Sequence, residues 1–232
     1  MQQKIDLESN GFYDLDCSWL PGELLSAAER CIEQQKTAAQ AAHESVQSVE
    51  RPLEFVSPDA LEKILVSGQD VHGVASDRSI SDVIVFGAHH IEDSVLSEAV
   101  RTSRREVDNR LSRELASIFA TRKPLNIVSS GHLWYPKGSY MGWHTNNRAP
   151  GWRIYINYAE EPGKSFFRYR DPDTGQITTS WDKRWNLRVF RIDERKPIWH
   201  CVYSDTNRFS LGYMLKIQKQ RNFFRFARKL KR

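Results

Sequence analysis

Seven short runs of strand-forming residues fill the second half of the chain and limit its fold more than any other feature. Turn signals such as Pro-Lys-Gly, Glu-Pro-Gly and Asp-Thr-Asn separate them. Short strands at this spacing are typical of an antiparallel sandwich or jelly roll. The runs are NIVSSGHLWY, GWRIYINY, KSFFRYRD, QITTSW, LRVFRI, IWHCVY and RFSLGYMLKI.

The first half of the chain is predicted to be mainly helical. Residues 1–20 are interpreted as an irregular lead-in, and a helix of high propensity is expected from Glu23 to about Val49. A second long helix is predicted from Glu92 to Arg122, because its apolar residues keep to one helical face. Helices followed by strands indicate a β core with helices packed on one sheet.

Shorter elements are expected between the two long helices. Arg51 to Phe55 is interpreted as a short strand, and Asp82 to Ala88 as another, because of its β-branched and aromatic content. Ser57, directly before Pro58, is a plausible N-cap for a short helix.

These elements predict a mainly β (α+β) fold with a jelly-roll, cupin-like core. The 232 residues suit one large β-rich domain. We place it at residues 1–215, with a mainly helical support region at 1–124, a jelly-roll core at 125–215 and a basic tail at 216–232.

Composition narrows the classes of protein that the chain can belong to. No apolar run approaches the roughly 18 residues that span a bilayer, and the N-terminus lacks the order of a signal peptide, so a cytoplasmic protein is expected. Three cysteines without a close pair indicate reduced packing residues.

The net charge of +5 comes from the tail, since its 17 residues carry eight positive charges and no acid, which leaves about −3 on the rest of the chain. Contact with nucleic acid or an anionic membrane would therefore have to come from the tail alone.

Two distant histidines carry the functional signal. His144 lies in YPKGSYMGWHTN, and His200 is followed by Arg208 on a later predicted strand. A mononuclear iron site takes a short His-x-acid segment and a lone histidine from elsewhere, and it leaves other coordination positions open. This pattern predicts a metal site with an oxo-acid cosubstrate.

The order of the motifs resembles the Fe(II)- and 2-oxoglutarate-dependent dioxygenases, in particular the prolyl-4-hydroxylase-like branch. The resemblance covers about residues 133–215: YP before HTN, then RIYINY, GKSFF, NLRVF, WH and RFSLGYML. It implies a double-stranded β-helix core and a hydroxylase that releases succinate and CO2. The implied substrate is a small molecule or a peptide.

The resemblance also implies roles for individual residues. His144 and His200 are the expected iron ligands, and Arg208 is expected to grip the far carboxylate of 2-oxoglutarate with its guanidinium fork. Ser210 adds a hydroxyl on the same strand face. Tyr135 and Tyr155 match positions from which phenols are directed at the cosubstrate. By strand alternation, Arg153, Tyr155 and Asn157 share one face, and such a polar row predicts a site lining.

Asn146 departs from the pattern, because the family has aspartate or glutamate two residues after the first histidine. Three interpretations stay open: a working oxygenase in which Asn146 or water completes the metal site, a halogenase-like variant with an anion at iron, and a non-catalytic binding protein on the same fold.

Other histidines are expected to have structural roles. His89 and His90 lack a third ligand at metal-binding spacing, and packing is favoured for His132 over a substrate contact.

Overall fold

Two antiparallel sheets form the centre of the molecule. The computed structural model describes residues 4–42, 52–68, 89–90, 96–121, 125–146 and 150–217. The helices are α1 (Gly22–Ala42), α2 (Pro58–Ser67) and α3 (Glu98–Ser117), with a 3-10 helix at Pro52–Val56. The strands are β1 (Phe12–Asp16), β2 (His89–His90), β3 (Leu125–Tyr135), β4 (Ser139–His144), β5 (Gly151–Ala159), β6 (Ser165–Arg170), β7 (Ile177–Trp181), β8 (Trp185–Ile192), β9 (Trp199–Ser204) and β10 (Arg208–Ile217).

The strands pair in two groups that confirm the predicted jelly roll. The larger sheet has the order β1-β8-β5-β10-β3-β2, and the smaller has the order β4-β9-β6-β7. Every pair of named strands is antiparallel. Neighbours in each sheet are mostly distant in sequence, so the connections pass between the sheets, and each of the seven predicted runs is a strand.

Helices α1 and α3 cover the outer face of the larger sheet. Alternate residues of β5 and β10, such as Ile154, Ile156 and Leu211, are buried with apolar residues of both helices in one cluster. The residues between them face the other way, toward the smaller sheet. The larger sheet is thus apolar toward the helices, whereas toward the interior it presents polar side chains such as Arg208 and Asn157 beside apolar ones such as Phe190.

The smaller sheet is covered by the 3-10 helix and α2. Val56, Leu61 and Ile64 pack with Trp143 and Cys201 from the back of that sheet. Pro58 occupies the first turn of α2, where its missing N–H costs nothing.

The predicted N-cap of α2 is confirmed, because the Ser57 side chain accepts a hydrogen bond from the Ala60 amide at 3.1 Å.

Three predictions about the first half were wrong. The lead-in contains β1, which pairs with β8 through contacts such as Phe12 with Phe190. Most of the segment at 51–55 is a 3-10 helix, not a strand. The second long helix ends at Ser117, and Phe119 instead forms a bridge with Ile5. The N-terminal region thus contributes strands as well as helices.

Several predictions lie outside the described residues. These are the strand at 82–88, the last turns predicted for the first helix at 43–49, and nearly all of the basic tail. Among the described residues, no helix combines the length and the apolar character that crossing a membrane requires. All three cysteines are free and buried.

Candidate metal and cosubstrate site

The two predicted histidines lie side by side on neighbouring strands. His144 ends β4, His200 is the second residue of β9, and the antiparallel register places the two opposite each other. Their ring centroids are 4.1 Å apart, and each residue is 3% exposed. The structure therefore brings together two imidazoles that are 56 positions apart in sequence.

Hydrogen bonds fix both rings in the same tautomer. The Nδ1 of His144 lies 2.8 Å from the Gly142 carbonyl oxygen, and the Nδ1 of His200 lies 2.9 Å from the Ile198 carbonyl oxygen. A carbonyl only accepts, so each Nδ1 must carry the proton, and each Nε2 keeps a lone pair. Histidines that bind metals are held by this kind of outer contact.

Burial keeps both histidines neutral. It lowers the pKa of His144 to about 4, against a small opposing effect of the Gly142 carbonyl. Burial, and then the neighbouring His144, hold the pKa of His200 well below its usual value. Both imidazoles are therefore uncharged at neutral pH, which is the protonation state that binds a metal ion.

Asn146, the third predicted metal ligand, lies beside His200. Its Nδ2 lies 3.3 Å from the Nε2 of His200. Its φ is +54°, in the left-handed region that asparagine and aspartate tolerate better than most residues. No group of three His, Cys, Asp or Glu side chains converges anywhere in the described ranges, so this site offers two imidazoles and an amide.

A cavity of about 270 Å³ opens beside the histidines, between the two sheets. A groove of about 740 Å³ lies elsewhere on the surface, but it contains no histidine, so volume alone does not mark the site. All seven residues predicted to bind the metal or the cosubstrate line the smaller cavity. Its full lining is Leu133, Tyr135, Met141, His144, Asn146, Tyr155, Asn157, Phe167, Arg188, His200, Val202, Arg208 and Ser210.

Arg208 is held by three side chains and is 1% exposed. Its Nε donates to Asp182 Oδ2 at 2.7 Å, Nη1 donates to Ser210 Oγ at 2.6 Å, and Nη2 donates to Asn157 Oδ1 at 2.8 Å. The Ser210 hydroxyl donates in turn to Asn157 Oδ1 at 2.7 Å. This network fixes the plane of the guanidinium group, which suits it to bind a carboxylate.

A second arginine lines the same cavity. Arg188 is also 1% exposed, and its Nη1 donates to Asp182 Oδ1 at 2.5 Å. Its Nη2 donates to Ser180, and Asp14 Oδ2 lies 3.4 Å from its Nε. Burial raises the pKa of Asp182, but the charges of Arg208 and Arg188 outweigh it and lower that pKa to about 2.

The two tyrosines stand on the walls of the cavity. The guanidinium carbon of Arg208 lies 5.0 Å from the centre of the Tyr135 ring, a cation–π contact. The Tyr155 ring is stacked on Phe190 with centroids 5.8 Å apart. Burial raises the pKa of both phenols, so both stay protonated and able to donate a hydrogen bond.

Sequence reasoning missed two charged residues of this network. Arg188 was recognisable only as a charged residue inside the apolar run LRVF, and Asp182 lies in the turn after β7. His132 is absent from the cavity lining. It is fully buried on the helical side, with Nε2 2.9 Å from Asp108 Oδ1, as its predicted packing role requires. The side chains of His89 and His90 lie outside the described part of the chain.

A second, outer cavity of about 480 Å³ adjoins the first and shares Asn146 and Tyr155 with it. Its remaining lining residues are Ser129, Ser130, Arg153 and Met214. The polar row predicted on β5 therefore faces both cavities.

Comparisons with known proteins bear on the fold. No family model matches the chain, and no curated protein matches its sequence significantly. Among solved structures it is similar to a prolyl hydroxylase from Trichoplax adhaerens, in complex with a fragment of the hypoxia-inducible factor oxygen degradation domain. That likeness has a TM-score of 0.53 at 12% identity, and it covers 90% of this chain and 84% of the other.

Two further structures are less similar. A prolyl-4-hydroxylase from Pseudomonas putida has a TM-score of 0.42 at 12% identity, covering 90% of this chain and 94% of the other. The Arabidopsis thaliana dioxygenase for auxin oxidation, in a complex with 2-oxoglutarate, has a TM-score of 0.43 at 13% sequence identity, and the likeness covers 94% of each chain. The first likeness is the one that establishes the fold: this chain has the two-sheet jelly-roll fold of a prolyl hydroxylase.

Proposed function

We propose that the protein is an Fe(II)- and 2-oxoglutarate-dependent oxygenase that hydroxylates a second substrate and releases succinate and CO2. The observation that carries this proposal is the shape of one cavity: two neutral imidazoles lie together on its wall, and a buried guanidinium group is part of the same lining. Iron takes imidazole ligands readily, and a fixed guanidinium fork matches a carboxylate.

His144 and His200 would hold the iron through their Nε2 atoms, and Asn146 would complete the set through its amide oxygen or a water molecule. The amide of Asn146 must turn for this, because its nitrogen now faces His200. Bound iron supplies the one-electron and O2 chemistry that protein side chains lack.

Arg208 would bind the far carboxylate of 2-oxoglutarate. Three of its five N–H groups are engaged by described residues, and Ser210 and Asn157 fill the end between its two terminal nitrogens. The carboxylate would take their place there, so both side chains would have to turn aside when it binds. Tyr135 and Tyr155 would donate hydrogen bonds to the cosubstrate and help to exclude water.

The outer cavity would admit a small molecule or a peptide side chain. Asn146 and Tyr155 belong to both cavities, so a substrate in the outer one would approach the histidines from the side away from Arg208. The related structure from Trichoplax adhaerens holds a peptide fragment, which supports a ligand of this size.

A halogenase-like activity is the second candidate, and Asn146 favours it. Asn146 brings no negative charge to the metal, so an anion from solution could neutralise the iron. Dependence of the product on chloride would separate this activity from hydroxylation.

Fe(II) titration with 2-oxoglutarate tests the proposal. Under anaerobic conditions we expect a weak visible charge-transfer band, and in air we expect succinate. His144→Ala and His200→Ala should abolish both signals. Exposed Asn126→Asp serves as a surface control and should change neither. If wild-type protein shows neither band nor succinate, it is a binding protein on an oxygenase fold.

A further inference from the structure

Asp182 is a buried carboxylate that is shared between two arginines. Its side chain is fully buried, Oδ1 accepts from Arg188, and Oδ2 accepts from Arg208. Ser165 donates a third hydrogen bond to Oδ2 at 2.6 Å. The cavity lining includes both arginines but not Asp182, so the carboxylate stands behind them and does not face the ligand space.

We propose that Asp182 is a positioning residue, which sets the orientation of Arg208 and thereby the affinity for the far carboxylate of the cosubstrate. This inference rests on the proposed function. Asp182 accepts from Nε and so fixes the direction in which the end formed by the two terminal nitrogens of Arg208 points. Ser210 and Asn157 then hold one N–H on each of those nitrogens.

The backbone around Asp182 fixes the carboxylate itself. The amide of Asp182 donates to the Ser165 carbonyl at 2.9 Å, and its own carbonyl accepts from the Gly163 amide at 2.8 Å. Together with the Ser165 hydroxyl, these bonds tie the turn between β7 and β8 to β6. Arg208, on β10 in the other sheet, is therefore oriented by a carboxylate held on the smaller sheet.

A role as a simple counter-charge predicts the opposite result. If Asp182 only neutralised the arginines, its removal would leave more positive charge beside the cavity and would tighten the binding of an anion. If Asp182 positions Arg208, its removal lets two buried guanidinium groups repel each other, and the fork no longer matches the ligand. The direction of the change in affinity separates the two roles.

The test is calorimetry of 2-oxoglutarate binding to the anaerobic Fe(II)-loaded protein. We expect Asp182→Asn to raise Kd about tenfold, as for a misaligned charged hydrogen bond. In turnover, KM for 2-oxoglutarate should rise while kcat at saturation stays unchanged, since Asp182 does not touch the reacting atoms. Equal or tighter binding by Asp182→Asn overturns the proposal.

A milder variant guards against a failure of Asp182→Asn to fold. Ser165→Ala removes one bond to the oxygen that Arg208 uses and leaves all charges in place. We expect Ser165→Ala to bind 2-oxoglutarate roughly threefold more weakly than wild type does. Ser204→Ala is the matched control, because Ser204 is equally buried and donates one side-chain bond, to the Thr206 carbonyl. If both serine variants bind alike, the proposal is overturned.

Nitrogen-15 NMR of the metal-free protein gives a readout that does not depend on activity. The Arg208 Nε–H signal, assigned by its loss in Arg208→Lys, should move in Asp182→Asn and Ser165→Ala but not in Ser204→Ala. An unmoved signal would contradict the positioning role. If wild-type protein binds neither iron nor 2-oxoglutarate, the proposed function fails. If wild type binds both and the Asp182 and Ser165 variants bind equally well, only this inference fails.

Discussion

Asn146 decides the charge of the candidate metal site. Its side chain is neutral, and both neighbouring histidines are held neutral by burial. The positive charge of a bound metal ion would therefore be balanced only by the cosubstrate and by anions from solution. The left-handed backbone at this position suits aspartate as well as asparagine, so the local fold does not demand the amide.

Asn146→Asp should tighten the binding of Fe(II) about tenfold or more, because a carboxylate is a stronger ligand for a divalent cation than a neutral amide. Anaerobic competition with a chelator measures the change. Asn126→Asp, an exposed substitution on β3, adds the same charge at the surface and controls for general attraction. Unchanged affinity in Asn146→Asp would remove this residue from the metal site.

Strand alternation explains how elements with buried apolar faces also build a polar site. On β10, Arg208 and Ser210 face the cavity, while Phe209 and Leu211 face the helices. Gly212 continues the inner row, at a shift in register with β3. Because Gly212 has no side chain, the Tyr155 ring can lie close to the β10 backbone at this position.

Gly212→Ala should destabilise the protein by about 1–3 kcal/mol, the usual result of overpacking. An added Cβ would lie 2.8 Å from Ser130 Oγ, 3.0 Å from the Gly131 carbonyl oxygen and 3.2 Å from Tyr155 Cε1. Urea unfolding measures the loss. Gly22→Ala is the control, because nothing lies within 4 Å of its added Cβ, and stability there should hold or rise. A Gly212→Ala protein as stable as wild type would contradict the close approach.

For the whole molecule, the main cost of the site is charge buried between the sheets. Two arginines and one aspartate are almost completely buried there, and the part-buried Asp14 on β1 adds a second acid beside Arg188. Such a network is stable only while its carboxylates are ionised, because a lost partner leaves a buried charge unpaired.

The network should therefore contribute to acid unfolding. The pKa of Asp182 falls from 3.8 in the unfolded chain to about 2 in the folded protein, so its stabilisation is fully present above pH 4. That stabilisation, about 2 kcal/mol, is lost as the pH falls through 2. Denaturant titrations should show wild type and Asp182→Asn converging in stability between pH 4 and pH 2. A constant difference over that range would contradict the lowered pKa.

The sequence by itself determined the local features. The seven runs of the core were predictable because their strand-forming residues and flanking turns are local features of the sequence. The shared face of Arg208 and Ser210 was predictable because side chains two residues apart in a strand point to the same side. The N-cap at Ser57 depends on neighbouring residues only, and it was predictable for the same reason.

The tertiary structure decided whatever depends on partners far away in the chain. Among the described strands, the first is paired only with the distant β8, and the short alternation of Tyr13 and Leu15 with Asp14 and Asp16 did not reveal that partner. Asp182 and Arg188 became site residues because the fold buries them together, with Arg188 in the cavity lining and Asp182 behind it. The pairing of β4 with β9 set the distance between His144 and His200, since a contact across two strands depends on register and not on the residues within either strand.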